Sequence, residues 1–333
     1  ELDCAYTEEL YNLVPMHVLF WYYGLRKQFD SFQIVISTIA ILLVVYIARY
    51  ALKRTIFEQV SKELIIALSF FIVVYSGCLV IMLIVQLAYR YAASDKCETQ
   101  VPKLWCIFRY IVTVTAFSFV IVHMGITAQH ALSSFGFGRR LQMFVARLSI
   151  AVAFVYTIIF GVMSFYKESF EGRIAYCSGF TANSEKILIF NLYLVLIFDI
   201  LNALASIMLW RHNKSRLRAE QFHDLILAFH RRQNLYAMRQ FMPIATLHAV
   251  FYVVFFGTIY FSEQIKSRMS PAWYTFTAAI SNVIPHYCFF CPLLFVLLIR
   301  QGRFERISHI NSMIQSENNA DEKYFGALRV QWN

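Results

Sequence analysis

Polar and apolar positions alternate on a coarse scale along this chain. Seven apolar stretches, at 32–48, 64–89, 104–128, 148–165, 187–210, 241–261 and 273–299, are separated by short polar connections rich in Lys and Arg. A helix needs about 20 mostly apolar residues to cross the hydrocarbon core, with a range of about 17–25. Lipid offers no partner for backbone N–H and C=O groups, so each stretch is expected to be a helix that bonds internally. The pattern predicts an all-α membrane protein, a seven-transmembrane helix bundle with its termini on opposite faces. Its parts are an N-terminal segment over 1–30, the membrane domain over 31–300 and a tail over 301–333. Between the fifth and sixth stretches, Phe222, Leu225, Ile226 and Phe229 recur with helical spacing, which extends the flanking helices beyond the membrane. In the tail, Phe304, Ile307 and Ile310 alternate with Arg303 and Arg306 as in a short surface helix, and the polar remainder from Asn311 onward reads as loose.

Composition agrees. Hydrophobic residues make up 59% and charged residues 15%, against about 45–50% and about 25% in soluble domains. The net charge of +10 would suggest nucleic acid in a soluble protein. Here the basic residues crowd the connections, where lipid headgroups are the expected partner. One face carries 19 Lys and Arg, the other 10. Basic residues are retained in the cytoplasm, so the N-terminus is expected outside and the C-terminus inside. The sequon Asn213-Lys214-Ser215 then falls on the inner side and should stay unmodified.

Seven cysteines divide by depth. Cys78, Cys288 and Cys291 fall inside apolar stretches, where packing is the expected role. Cys4, Cys97, Cys106 and Cys177 all fall on the outer side, which permits disulfides. Four cysteines allow three pairings and sequence does not choose among them. Position favours Cys106, at the start of the third span, with Cys177 in the next outer loop, leaving Cys4 and Cys97 as a second pair.

Ionisable and amide side chains at membrane depth are costly and are candidates for a ligand pocket or switch. They are Arg109 and His123 in the third span, Asn191 and Asp199 in the fifth, His248 in the sixth and His286 in the seventh. Pro243, Pro285 and Pro292 are expected to kink the last two spans. No phosphate loop, zinc-protease motif or nucleophile elbow occurs, and no motif asks for a cofactor.

The topology, the outside N-terminus and the cysteine at the start of the third span resemble a G-protein-coupled receptor, and more closely the nematode serpentine chemoreceptors of the Sra superfamily. Receptors of that type carry Glu-Arg after the third span; Gln129 and His130 stand there in this chain, followed by Ala131. A second stretch, of the form Tyr-Gln-x-x-Glu-Asn, reads Phe229-His230-Arg231-Arg232-Gln233-Asn234. The resemblance implies a plasma-membrane chemosensory receptor that binds a small molecule and signals through a heterotrimeric G protein. Arg139, Arg140, Phe229, Arg231, Arg232 and Asn234 are then the expected dock for that partner. The alternative is a seven-span ligand-gated ion channel of the insect olfactory receptor type, whose N-terminus lies inside, against the charge count.

Overall fold

A computed structural model describes residues 16–52, 59–92, 101–174, 185–219, 225–265, 277 and 282–332. Seven helices among the described residues are long and apolar enough to span a bilayer. In chain order they are α1 (Met16–Tyr46), α2 (Gln59–Ala92), α3 (Ile107–Ser134), α4 (Arg139–Phe165), α5 (Glu185–Ala219), α6 (Leu225–Ile265) and α7 (Ile284–Trp332). The outer end is the one that holds Asp30 and Cys106, following the charge count.

The helices pack side by side in the order α4–α2–α1–α7–α6–α5, with α3 filling the middle against α2, α4, α5 and α6, and the Tyr156–Asn191 hydrogen bond links α4 to α5. Each interior face is a stripe at intervals of three and four residues, the spacing that keeps side chains on one side of a helix. On α5 the stripe is Leu188, Leu192, Val195, Asp199, Asn202, Ser206, Leu209 and Asn213, all buried. The opposite faces are apolar and exposed, with Leu42, Ile158, Val162 and Met208 all more than 60% accessible. In water such a belt would be an aggregation surface; against acyl chains it costs nothing.

Close approach of α3 and α4 depends on small residues. A Cβ on Gly125 would stand 2.6 Å from Ser149 Cβ, and Ala146 and Ala153 on α4 are fully buried. Without a hydrophobic drive between helices in lipid, such close packing is a main source of their association. The α3–α4 turn is tight. Gly136 takes a positive φ of 77°, and Phe137 N–H reaches back to Leu132 O at 2.9 Å. That geometry closes the last carbonyls of α3 and suits glycine alone without strain.

Two expectations are corrected. Pro285 does not kink the seventh span: it sits at the second residue of α7, where the missing N–H has no helical partner to lose. The tail is not loose from Asn311, and 304–310 is not a separate helix, because α7 runs without a break to Trp332. At 1.5 Å per residue its 49 residues trace about 73 Å, more than twice the hydrocarbon thickness. The helices α5 and α6 also overrun the inner end, as the apolar spacing around Phe222 implied.

Candidate functional site

The interior stripe of α3 is Arg109, Val112, Ala116, Phe119, His123, Ile126 and His130. Three polar side chains thus sit at the outer end, the middle and the inner end of one line through the bundle. His123 and His130 each organise a different set of neighbours.

At mid-depth, four helices meet through polar groups. His248 of α6 donates from Nδ1 to Asp199 Oδ1 of α5 at 2.7 Å, with the two side chains 0% and 2% exposed. His123 Nε2 and the Tyr287 hydroxyl of α7 share a hydrogen bond of 2.7 Å. The His248 ring lies 4.4 Å from the His123 ring, stacks on Tyr252 at 4.3 Å and meets Tyr287 edge-on at 4.8 Å. The Tyr252 hydroxyl donates to the carbonyl of Ala116, tying α6 back to α3. Asp199 Oδ2 and His248 Nε2 remain buried without a hydrogen-bond partner. A buried hydrogen-bonded pair resists separation strongly, because either partner left alone would be a desolvated polar group without its bond. The cluster therefore holds α3, α5, α6 and α7 in one arrangement, and displacement of any one helix disturbs the other three. Among the described residues no group of three or more His, Cys, Asp or Glu is placed to hold a metal ion.

At the inner end, Gln129 and His130 point to different sides. Gln129 accepts from Ser61 Oγ of α2 at 3.2 Å and donates to Gln142 Oε1 of α4 at 3.4 Å, and Gln142 donates to the Phe137 carbonyl in the turn. His130 Nδ1 bonds Asn234 Oδ1 of α6 at 3.0 Å, and Asn234 Nδ2 donates to Ser134 Oγ at 2.8 Å. Asn213 of α5 donates to the same hydroxyl at 2.7 Å. The inner ends of α3, α5 and α6 are latched by uncharged groups. Between the two clusters lies a cavity of about 20 Å³ lined by His123, Thr127, His130, Ser206 and Met238, room for about one water.

At the outer end, Asp30 of α1 and Arg90 of α2 form a buried ion pair at 2.7 Å. Deeper in the bundle, Tyr75 of α2 donates to Asn282 Oδ1 at 3.3 Å, and Gln33 of α1 donates to Asn282 O at 3.5 Å. A two-residue antiparallel ladder pairs Val101 with Ile174 and Pro102 with Arg173, which fastens the second outer loop to the start of α3. Cys106, buried directly after that ladder, is disulfide-bonded. Cys4, Cys97 and Cys177 lie outside the described residues.

Of the residues singled out by sequence, His123, Asp199 and His248 converge, and Tyr287 joins them. Asn191 does not: it accepts from Tyr156 of α4 at 2.9 Å, away from that cluster. His286 is half-buried beside Phe32 of α1, 5.9 Å between rings, again apart from it. Arg139 and Arg140 are exposed in the first turn of α4. Asn234 is buried in the inner latch, not presented on a docking surface. Phe229, Arg231 and Arg232 fall in the first turns of α6, with side chains outside the described residues. Sequence reasoning missed Tyr75, Gln86 and Tyr252, since a lone Tyr or Gln inside an apolar run carries no pattern of its own.

Comparison with known proteins adds to this geometry. The sequence profile of the serpentine type 7TM GPCR receptor class ab chemoreceptors matches residues 25–333. Serpentine receptor class alpha-8 of Caenorhabditis elegans is 19% identical over 307 residues, covering 91% of this chain and 93% of that receptor. Serpentine receptor class alpha-39 of the same organism is 26% identical over 227 residues, 64% of this chain and 58% of the relative.

Proposed function

The chain belongs to the serpentine type 7TM class ab chemoreceptor family, and from that premise we propose that it binds a small molecule in the outer half of its bundle and signals through a heterotrimeric G protein at the inner end, in the plasma membrane. The observation that carries this reading is the sequence of polar contacts along α3. The mid-depth cluster joins the four helices α3, α5, α6 and α7, and the latch of His130, Ser134, Asn213 and Asn234 lies directly inward of it.

Pro243 lies on α6 between His248 and Asn234. It leaves one backbone hydrogen bond unmade and gives the inner half of α6 a place to bend. A ligand that prefers the arrangement with the mid-depth cluster shifted would release Asn234 from His130 and open a cleft between α3 and α6. The population moves only as far as that preference in affinity dictates. Arg139, Arg140, Phe229, Arg231 and Arg232 then border the opening and form the dock for the partner, with Asn234 uncovered as the latch parts. Cys106 and Cys177 form the outer disulfide in this reading. The ladder supports it, since Ile174, three residues before Cys177, pairs beside the segment that leads into Cys106.

The test is expression in cultured cells with epitope tags at both ends, a panel of volatile and water-soluble small molecules, and parallel readouts of G-protein activation and membrane current. The expected result is an outer N-terminal tag with ligand-dependent G-protein activation. A ligand-gated current with no G-protein response would replace the coupling reading with the channel.

A further inference from the structure

Arg109 is the permanently charged member of the α3 stripe, and it forms no ion pair among the described residues. Its position on the stripe turns it toward the bundle, and the residue is half-buried. Its Nε is buried without a hydrogen-bond partner. An arginine does not shed its proton in a protein, so this half-buried position keeps a fixed positive charge. Arg90, also at the outer end, has Asp30 at 2.7 Å; among the described residues Arg109 has no carboxylate partner.

A second side chain faces the same level. Gln86 lies on the interior stripe of α2 with Tyr75, Leu79 and Met82, is 2% exposed, and has neither Nε2 nor Oε1 bonded. The two stripes are registered by the Tyr75 and Phe119 rings, 5.9 Å apart. Outward from that contact on antiparallel helices, Arg109 is ten residues along and Gln86 eleven, about 15 and about 16 Å at the helical rise. A fixed cation and an unsatisfied amide therefore stand at one height on facing helices, in the outer half of the bundle. Both atoms of the amide are free, one to donate and one to accept.

We propose that Arg109 and Gln86 form an anion-recognition subsite that selects small organic acids, the carboxylate held by the Arg109 guanidinium and the Gln86 amide. This rests on the small-molecule receptor reading above and narrows its ligand class. A guanidinium and a carboxylate match as paired N–H donors and acceptors, and exclusion from water strengthens the match. A neutral ester of the same shape would leave the cation unpaired, so the site discriminates by charge more than by size.

The test uses the full chain in lipid nanodiscs at neutral pH with octanoate, phenylacetate and succinate, each beside its methyl ester. Thermal shift and equilibrium binding are measured for wild type, Arg109→Gln, Arg109→Lys and Gln86→Leu. At least one acid is expected to bind wild type ten times more tightly than its ester. Arg109→Gln should erase that preference, and Arg109→Lys and Gln86→Leu should each weaken it at least threefold. If Arg109→Gln does not reach the surface, Arg109→Lys and Gln86→Leu decide. The proposal is overturned if no acid outperforms its ester, or if the variants that fold keep the wild-type preference. The same probes and neutral odorants are run in the signalling assay. Responses to neutral molecules alone would remove the acid subsite and leave the receptor. Charge-selective binding with no signal would keep the subsite and remove the receptor function.

Discussion

Asp199 and His248 show how a residue can be found in the sequence while its partner cannot. An aspartate among Leu, Ile and Phe is conspicuous because membrane depth penalises charge. Which of three distant histidines answers it depends on helix rotation and ring order, and those are set by the whole bundle. The 2.7 Å contact to His248, with both side chains sealed, leads to a first prediction. Asp199→Ala should destabilise the folded protein by about 3–5 kcal/mol, the range for stranding one half of a buried pair. Asp199→Asn keeps an acceptor and should lose only about 1–3 kcal/mol. Thermal unfolding of the purified variants in detergent would show the difference, and equal losses would mean that the charge of Asp199 contributes nothing beyond the hydrogen bond. Asn213 teaches the reverse lesson. It opens a sequon by letter, yet its amide is 2% exposed and bonded to Ser134, so it belongs to packing. Tyr252 and Gln86 left no trace, because one polar atom in an apolar window does not alter the periodicity.

The elements themselves were the most legible part of the chain. Long apolar runs in lipid admit one backbone solution, and seven runs gave seven helices. The ends were harder. Pro285 looked like a kink because hydropathy cannot locate the first turn of a helix. The tail looked loose because its residues are polar, although 293–325 holds only one residue, Gly302, that disfavours helix strongly. Two glycines give a test of packing against propensity. Gly125→Ala forces its new methyl onto Ser149 and should lower stability by about 1–3 kcal/mol. Gly77→Ala on α2 meets nothing within 4 Å and should raise it by about 0.5–1 kcal/mol. Calorimetry of both variants checks the pair, and a loss of the same size at each would leave the α3–α4 approach without special weight. For α6, Pro243→Ala restores the missing backbone bond. It should reduce ligand-evoked signalling several-fold with normal surface expression, and an unchanged response would locate the bend elsewhere.

Across the molecule, the candidate site is a line of polar contacts from outer to inner end, and no single helix contains it. Sequence named the groups on that line and missed their grouping, as Asn191 and His286 show by facing α4 and α1. The inner latch predicts behaviour of the whole receptor. Asn234→Ala removes the bonds to His130 and Ser134. With a net value of about 0.5–1.5 kcal/mol for each, the open population should rise roughly fivefold to a hundredfold. Ligand-free G-protein activation, normalised to surface expression, measures that rise. Basal signalling equal to wild type would remove the latch from the mechanism.

The two residues at the foot of α3, Gln129 and His130, bind their neighbours through amides, hydroxyls and an imidazole. Moving an elementary charge through the full transmembrane potential is worth about 2.3 kcal/mol per 100 mV. A latch of neutral groups carries no such charge when it parts. Its opening is therefore expected to be electrically silent: ligand-free basal signalling should hold steady as the cell is clamped from rest to depolarisation.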